Sequence, residues 1–501
     1  MEDATQPPRQ APEIRFLVAC PRSGSTLLMR VFAESSDCAV TSRLILMGKA
    51  GSSGPFRPDY SVLEDPNSHD VFLKALDSGK RFLISKEELG NSGNKRECLY
   101  DVCPTPAAYA MTRPVFLIRD PVRVFDSWKN AGWTDMQSLV DCYTNMFQML
   151  DRAPSHATSC LLYEKLVQDP QMELETICAR WGLPFHKDML GFKKPFGSSF
   201  IFSSDRERTV YCEEKPLGLF KTVETSSSIV PDVPLHGLLS NDEKTRIEDQ
   251  LGRLYLRCWR DDAQRLRAIL LEKTWVGFDL DDTLHEFRHA SSVATATVFA
   301  SITERHGVPA PALRQEYSKI LRKGTANAFS DGKTSFDYRR ERFSSLLGHF
   351  SLPHDAEFMN SLLASYEAAL VASFELKCGA LSLLSTVKNL GKKIVVITEG
   401  PQDAQERTVE ALGIAGHVDF LATTNRFGVS KVDGLFGKVL QHLGVYPSDV
   451  AYVGDNYERD VAPAMAEGIF SIHLAEAKNV SLASFPPQVN TLKKLQMILS
   501  G

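Results

Sequence analysis

Short apolar runs alternate with longer amphipathic stretches along this chain, and the alternation occurs twice. In the first half the apolar runs are 14–20 (IRFLVAC), 81–86 (RFLISK), 114–119 (PVFLIR) and 159–164 (SCLLYE), each short enough for a buried strand. Between them, 27–33, 135–150 and 172–181 carry apolar residues at helical spacing. From 240 to 272 the pattern is helical, with Ser240 and Glu243 spaced as a capping box. A second set of strand-like runs follows at 274–284 (TWVGFDLDDTL), 392–398 (KKIVVIT), 418–424 (VDFLATT), 449–455 (DVAYVGD) and 468–474 (GIFSIHL). Strands alternating with helices predict parallel sheets with crossover helices. The fold class is therefore α/β, with two parallel-sheet α/β domains at 13–272 and 273–501 and a polar, proline-bearing flexible tail at 1–12. The stretch from about 285 to 390 is too long for a simple crossover. Helical patterns at 290–306, 312–323, 336–348 and 357–374 predict an inserted helical unit there.

Composition narrows the class without naming a function. A length of 501 residues accommodates two to four domains at ~100–200 residues each. Hydrophobic residues at 43% and charged residues at 24% exclude wholesale disorder. With 57 basic against 62 acidic residues, a polybasic nucleic-acid partner is not expected. No apolar run approaches the ~20 residues of a bilayer span and the N-terminus has no signal-like core, so no membrane partner and a cytoplasmic location are expected. Ten cysteines lie scattered without a C-x-x-C pair, which gives neither a disulfide framework nor a zinc site. Cys98 and Cys103 are the closest pair in sequence and read as reduced thiols.

The turn after the first strand reads CPRSGSTLL, residues 20–28. A turn here offers backbone N–H groups and a helix N-terminus to an anion, and Gly24 lets backbone approach a phosphate closely. Ser23, Ser25 and Thr26 add hydroxyl donors and Arg22 adds charge. An ATP-hydrolysing P-loop would carry lysine where Ser25 stands, so the loop is suited to phosphate but not to ordinary ATP hydrolysis. In FLIRDPVRVFDSWKN, residues 116–130, Arg119 ends a strand and Ser127 falls within the following helix.

Together with PRSGST, that arginine–serine pair resembles the sulfotransferases, which transfer sulfonate from 3′-phosphoadenosine 5′-phosphosulfate (PAPS) to an acceptor. LLYEKLVQDP (161–170) and WGLPF (181–185) are also similar to the family. The resemblance implies a P-loop sulfotransferase-like domain in which Arg22, Ser23, Gly24, Ser25 and Thr26 hold the 5′ end of PAPS. Arg119 and Ser127 would hold the 3′-phosphate, and Tyr163 would contact adenine or lie in the core. The strand before that loop ends in Lys86, Glu87 and Glu88, where the cytosolic branch has a lysine and a histidine. Glu88, or else Glu87, would be the base, provided burial raises its pKa toward working pH. Lys86 would neutralise the bridging oxygen as sulfonate leaves. A second glycine-rich 3′-phosphate clamp is not evident; 215–228 with Lys221 is a weak substitute.

In the second half, FDLDDTL (278–284) sets Asp279 and Asp281 at the carboxyl edge of a strand. With Asp455 and Asp460 of GDNYERD, oxygen ligands gather that suit Mg²⁺. Thr398 ends IVVIT, and Lys431 lies between the two. In this order the residues resemble the haloacid dehalogenase-like hydrolases over 274–478, which implies a Rossmann-like fold with a helical cap. By that resemblance Asp279 is the nucleophile and Asp281 the general acid and base. Thr398 and Lys431 bind phosphoryl oxygens, while Asp279, the Asp281 carbonyl, Asp455 and Asp460 hold Mg²⁺. Asp281 favours phosphatase over dehalogenase chemistry, because a phosphate ester needs its leaving oxygen protonated and a halide does not. A cap that closes over its ligand favours a small metabolite as substrate.

The resulting expectation is a bifunctional enzyme that joins sulfonate transfer to a small-molecule acceptor with hydrolysis of a small phosphate ester, possible as a homodimer. The phosphatase would either supply the alcohol to be sulfated or clear the product 3′-phosphoadenosine 5′-phosphate (PAP). Two alternatives stay open: one half is a binding or dimerisation module, or the N-terminal half is a small-molecule kinase.

Overall fold

A computed structural model describes residues 11–45, 58–90, 95–154, 159–214, 221–230, 235–323, 329, 331–353 and 355–501. Most of the expected tail, residues 1–10, lies outside these, as do 215–220 and the Lys221 side chain. The chain forms two compact units, 1–259 and 260–501. That division precedes residue 272, because the helix Arg260–Glu272 packs on the C-terminal helix Leu492–Ser500, where Arg267 Nε donates to the Leu499 carbonyl at 3.1 Å. The helical stretch from 240 is also not continuous. Its capping box forms as expected, but the helix breaks at Cys258 and Trp259, where the Trp259 indole turns into the core beneath Lys165.

The first unit holds a five-stranded parallel sheet of β1 (Glu13–Ala19), β2 (Cys38–Ser42), β3 (Phe82–Glu88), β4 (Val115–Ile118) and β5 (Ser159–Leu162), ordered β2-β3-β1-β4-β5. Helices cover both faces of such a sheet, so β1 is mostly apolar and buried beyond its first residue, and its one interior charge, Arg15, donates to the Trp181 carbonyl. The strand β2, with sequence CAVTS, carries too weak an apolar signal to stand out in sequence and is fixed by pairing with β3. The chain winds from β1 to β2 and β3 on one side and continues to β4 and β5 on the other. The carboxyl end of β1 is therefore a switch point, where ligands bind in open α/β sheets.

Glu164, two residues past the end of β5, is fully buried, and its Oε1 accepts the Asp120 backbone N–H at 2.9 Å. Burial, aided by Asp120, pushes its carboxyl up to about 7 from 4.5. Between those values the folded chain keeps a proton that the unfolded chain has lost, so stability falls as pH rises through this window. The shift corresponds to about 3 kcal/mol. Glu164→Gln keeps an acceptor and removes the titration. Its thermal midpoint should match wild type near pH 4 and exceed it at pH 8; an equal difference at both pH values would contradict this account.

The second unit holds a six-stranded parallel sheet of β6 (Trp275–Phe278), β7 (Lys393–Thr398), β8 (Phe420–Thr423), β9 (Val450–Gly454), β10 (Phe470–Leu474) and β11 (Gln488–Val489), ordered β11-β10-β9-β6-β7-β8. Its switch point falls between β6 and β9. Strand β6 stops at Phe278, so DLDDT forms the turn at the sheet edge rather than part of the strand. Close packing explains Gly277, since a Cβ there would lie 2.8 Å from the Tyr452 ring.

Four helices, Phe287–His306, Ala310–Lys323, Ser335–His349 and Ala356–Ala372, form the inserted cap around their own core of residues such as Val298, Phe299, Leu313, Phe343 and Leu362. The chain leaves and re-enters side by side. The Lys377 N–H donates to the Leu284 carbonyl and the Glu286 N–H to the Glu375 carbonyl, each at 2.9 Å. Lys377 also pairs with Glu286 and Glu476 at 2.9 and 2.6 Å. The cap thus ends near 376 rather than 390. The next helix, Ala380–Asn389, belongs to the sheet layer, with Gly379 so close to the Lys493 backbone that a Cβ would lie 2.3 Å from its nitrogen. No helix among the described residues is long and apolar enough to cross a membrane.

Candidate active sites

In the first unit the β1 turn, 20–24, leads into the helix Ser25–Glu34. Gly24 has φ +99°, and a Cβ on it would lie 2.5 Å from the Tyr163 ring. Both the left-handed backbone and the close approach therefore require glycine. The turn is held from behind by the buried Trp128, whose Nε1 donates to the Pro21 carbonyl at 2.9 Å. Trp128 lies on the helix Pro121–Asn130, which Asp120 caps by accepting the Val122 N–H at 2.9 Å.

Around this turn lies a cavity of about 540 Å³. Arg22, Gly24, Ser25, Thr26, Lys86, Glu88, Arg119, Ser127 and Tyr163, all singled out in the sequence, line it. Ser23 is buried beneath the turn and does not line the cavity. Arg119 donates from Nη1 to the Arg22 carbonyl at 3.0 Å and stacks 4.2 Å from the Tyr163 ring centroid. Arg22 donates from Nε to Ser127 Oγ at 3.0 Å, so it reaches the serine expected at the opposite end of the ligand.

Alternation along β3 divides its three terminal residues between faces. Lys86 and Glu88 face the cavity together, with Lys86 Nζ 3.0 Å from Glu88 and 3.3 Å from Thr26 Oγ1. Glu88 also accepts a hydrogen bond from Ser25 Oγ and lies 3.7 Å from Arg43. Glu87 is fully buried and accepts from the Leu44 N–H at 2.8 Å and Ser85 Oγ at 2.6 Å.

The electrostatics correct the expected bases. Burial alone would raise the Glu88 carboxyl, but Lys86 and Arg43 outweigh it and hold the group down to about 2. Glu88 is thus a poor proton acceptor at neutral pH, and its charge fixes the surrounding cations instead. Burial pushes Glu87 up to about 7, but its side chain is not in the cavity wall.

Sequence reasoning missed several residues of this wall: Ser42, Arg43, Arg123, Asp126, Glu207 and Tyr211. Of these, Arg123 and Asp126 lie in the quoted arginine–serine segment, where their helix places them on the cavity side. Asp126 accepts the backbone N–H groups of His236 and Leu238 at 2.6 and 2.8 Å, which holds that segment against the site. Glu207 comes from the helix Asp205–Thr209, with Oε2 accepting from Ser203 N and Oγ at 2.8 and 3.0 Å, and burial raises its carboxyl. No local motif marks it.

In the second unit, Asp279 follows β6, Thr398 ends β7 and Asp455 follows β9, all at one sheet edge. Asp279, Asp455 and Asp460 each bring an oxygen within 4.8 Å of the others. Lys431 Nζ lies 2.5 Å from both Asp279 and Asp460. Burial pushes the Asp279 carboxyl well above the usual range, against the pull of Lys431, and Asp460 and Asp281 push the same way. Burial opposes the Lys431 charge, but Asp279 and Asp460 hold its ammonium protonated. Besides Lys431, Asp455 lies 3.4 Å from the exposed Arg288 guanidinium, and the all-oxygen donor set of the three carboxylates fits a hard divalent cation.

Neighbouring loops set these groups. Glu399 accepts the Lys431 backbone N–H at 3.1 Å and pairs with Arg459, which ties together the loops after β7 and β9. The Asp455 backbone N–H donates to Thr283 Oγ1 at 3.0 Å, and Asp460 accepts the Asn456 N–H at 3.1 Å. Gly454 is required because a Cβ would lie 2.4 Å from that of Asp460. Asp281 Oδ1 pairs with the buried His285 Nε2 at 3.0 Å, and Oδ2 lies 3.4 Å from Gln405 Nε2. His285 and Gln405 were not foreseen in sequence. Among the described residues, the buried Thr398 hydroxyl has no hydrogen-bond partner, which leaves it available to a ligand oxygen.

Residues 274–468 match the family model of haloacid dehalogenase-like hydrolases. A glyceraldehyde 3-phosphate phosphatase of Methanocaldococcus jannaschii is 25% identical over 223 residues, 44% of this chain and 93% of its own. Haloacid dehalogenase-like hydrolase domain-containing protein 3 of Bos taurus is 27% identical over 249 residues, 47% of this chain and 94% of its own. The solved structure of the putative hydrolase YfnB from Bacillus subtilis, bound to magnesium, is 20% identical with a TM-score of 0.37, covering 46% of this chain and all of that one. The C-terminal half of the chain thus carries a haloacid dehalogenase-like hydrolase region.

Proposed function

We propose that the chain is a two-site enzyme, a Mg²⁺-dependent phosphate monoesterase in its C-terminal unit and a PAPS-dependent sulfotransferase in its N-terminal unit. The observation that carries the first assignment is Lys431 bonded to both Asp279 and Asp460 beside Asp455. Phosphatases among the relatives support the same chemistry. Asp279, Asp455, Asp460 and the Asp281 carbonyl would hold Mg²⁺, which when bound supplies charge for the phosphoryl oxygens. An Asp279 oxygen attacks phosphorus and the ester bond breaks, while Asp281 gives its proton to the departing alkoxide. Asp281 then takes a proton from the water that cleaves the aspartyl-phosphate. His285 and Gln405 orient the Asp281 carboxyl, and Thr398 and Lys431 receive the phosphoryl oxygens.

For the N-terminal unit the supporting observation is the cavity that gathers the phosphate turn with Arg119, Ser127 and Lys86. Its volume is that of a small-molecule site. The acceptor oxygen attacks sulfur, PAP leaves, and Lys86 neutralises the bridging oxygen. With Glu88 held ionised by its cations, we assign the acceptor proton to Glu207, the carboxylate that shares the cavity and that burial raises.

Calorimetry with PAP and phosphate release from p-nitrophenyl phosphate in Mg²⁺ test the two sites separately. PAP should bind wild type and bind Gly24→Ala at least ~10-fold more weakly, because the methyl group collides with Tyr163. Wild type that binds no PAP sinks the N-terminal assignment, and wild type that releases no phosphate sinks the C-terminal one.

A further inference from the structure

We propose that Cys160 and Cys258 form a reversible disulfide, a thiol-oxidation site on the N-terminal unit. Their Sγ atoms lie 3.2 Å apart. The pair nearest in sequence, Cys98 and Cys103, is buried, and in the core Cys142 contacts Cys20 and Cys98, whereas Cys160 and Cys258 meet where solvent reaches them. Of the ten cysteines, seven are buried, Cys212 and Cys258 are half-buried and Cys160 is exposed, with Cys258 beside Cys160. Small oxidants thus reach this pair before the core thiols.

Both thiols sit on fixed backbone. Cys160 lies in β5, in register with Phe116 of β4. Cys258 lies in the tight turn after the helix Arg253–Arg257, where its N–H donates to the Tyr255 carbonyl and that of Trp259 to the Leu256 carbonyl, each at 3.0 Å. The buried Trp259 indole anchors the turn, with Lys165 Nζ 4.9 Å from the ring centroid. Bond formation closes a gap of ~1 Å between the sulfurs.

The oxidant is a low-molecular-weight disulfide such as oxidised glutathione. The Cys160 thiolate attacks one of its sulfurs, forming a mixed disulfide and expelling one glutathione thiolate. The Cys258 thiolate then attacks Cys160 Sγ and expels the second. The two cysteines lose two electrons, and the two protons they release go to the two glutathione thiolates. The new bond closes a loop between positions 98 residues apart and tethers the strand that leads into Tyr163 at the cavity wall. A cross-link over so long a loop restricts the unfolded chain and stabilises the fold.

The test titrates the full-length protein with glutathione redox buffers, alkylates the remaining thiols and maps peptides without reduction. Wild type should yield one cross-linked peptide joining 160 to 258, released by dithiothreitol. Cys258→Ser should instead trap one glutathione on Cys160, and Cys160→Ser should form neither species. Oxidation should raise the thermal midpoint of wild type by several degrees and leave both variants unmoved. A glutathione adduct that persists on Cys160 in wild type overturns the proposal. So does a Cys258 that stays alkylated in the most oxidising buffer, or a disulfide joining other cysteines.

Discussion

Asp279→Asn should reduce phosphate release from p-nitrophenyl phosphate by roughly 10⁴-fold or more, the scale of loss when a covalent nucleophile is removed. The asparagine keeps the shape of the side chain but lacks the anionic oxygen that attacks phosphorus. Lys431 retains Asp460 as a partner at 2.5 Å, so the variant should fold, with a thermal midpoint close to that of wild type. PAP affinity should not change, since the cavity around Gly24, Arg119 and Tyr163 contains none of these groups. A variant that still releases phosphate at a tenth of the wild-type rate would refute Asp279 as nucleophile. One that loses PAP binding as well would point to misfolding.

Lys431→Met should damage both stability and activity. The methionine fills the volume of the lysine stem but leaves Asp279 and Asp460 buried without their ammonium. Breaking a buried ion pair by removing one partner costs about 3–5 kcal/mol, because the remaining charge has no compensation. In EDTA the variant should therefore melt well below wild type. Adding Mg²⁺ should recover part of the loss, since a ligand that binds only the folded state stabilises it. Phosphate release should fall by ~10²-fold or more even in saturating Mg²⁺, as the phosphoryl oxygens lose a fixed cation. If the midpoints of variant and wild type coincide in EDTA, Lys431 is not neutralising this cluster.

Much of the C-terminal site was legible in the sequence because each of its groups sits at the end of a strand with a strong apolar signal. VGF, KIVVIT and VAYVG mark the strands, and Asp279, Thr398 and Asp455 stand at or just past their carboxyl ends. A parallel sheet brings such ends to one edge, so strand order alone makes them neighbours. The cap helices were legible for a similar reason: each carries an apolar stripe that builds the cap core. His285 and Gln405 were not legible. Gln405 bonds to Asp281 from 124 positions away and leaves no local pattern, and His285, only four positions on, meets Asp281 through a turn rather than a helix, which the spacing does not reveal.

The N-terminal cavity shows the same contrast more sharply. CPRSGST and the arginine–serine pair predict an anion site, and the residues they name line one cavity except Ser23, which is buried beneath the turn. The protonation state of that site could not be read from the chain. A lysine two residues before a glutamate in a strand puts the two on one face, but whether the glutamate then sits high or low depends on how burial balances against nearby cations. Arg43 and Lys86 decide it, and they hold Glu88 down to about 2. Glu207 enters the cavity from a segment with no motif.

By itself, the sequence determined two parallel-sheet units, the glycine turn after the first strand and the carboxylates that follow the strands of the second unit, because period, turn chemistry and strand order are local properties. Tertiary structure alone decided which titratable groups face one another, where the cap ends and which of the ten cysteines touch. Those outcomes depend on distances of a few ångströms between residues far apart in the chain, and there burial and Coulomb terms outweigh any local preference.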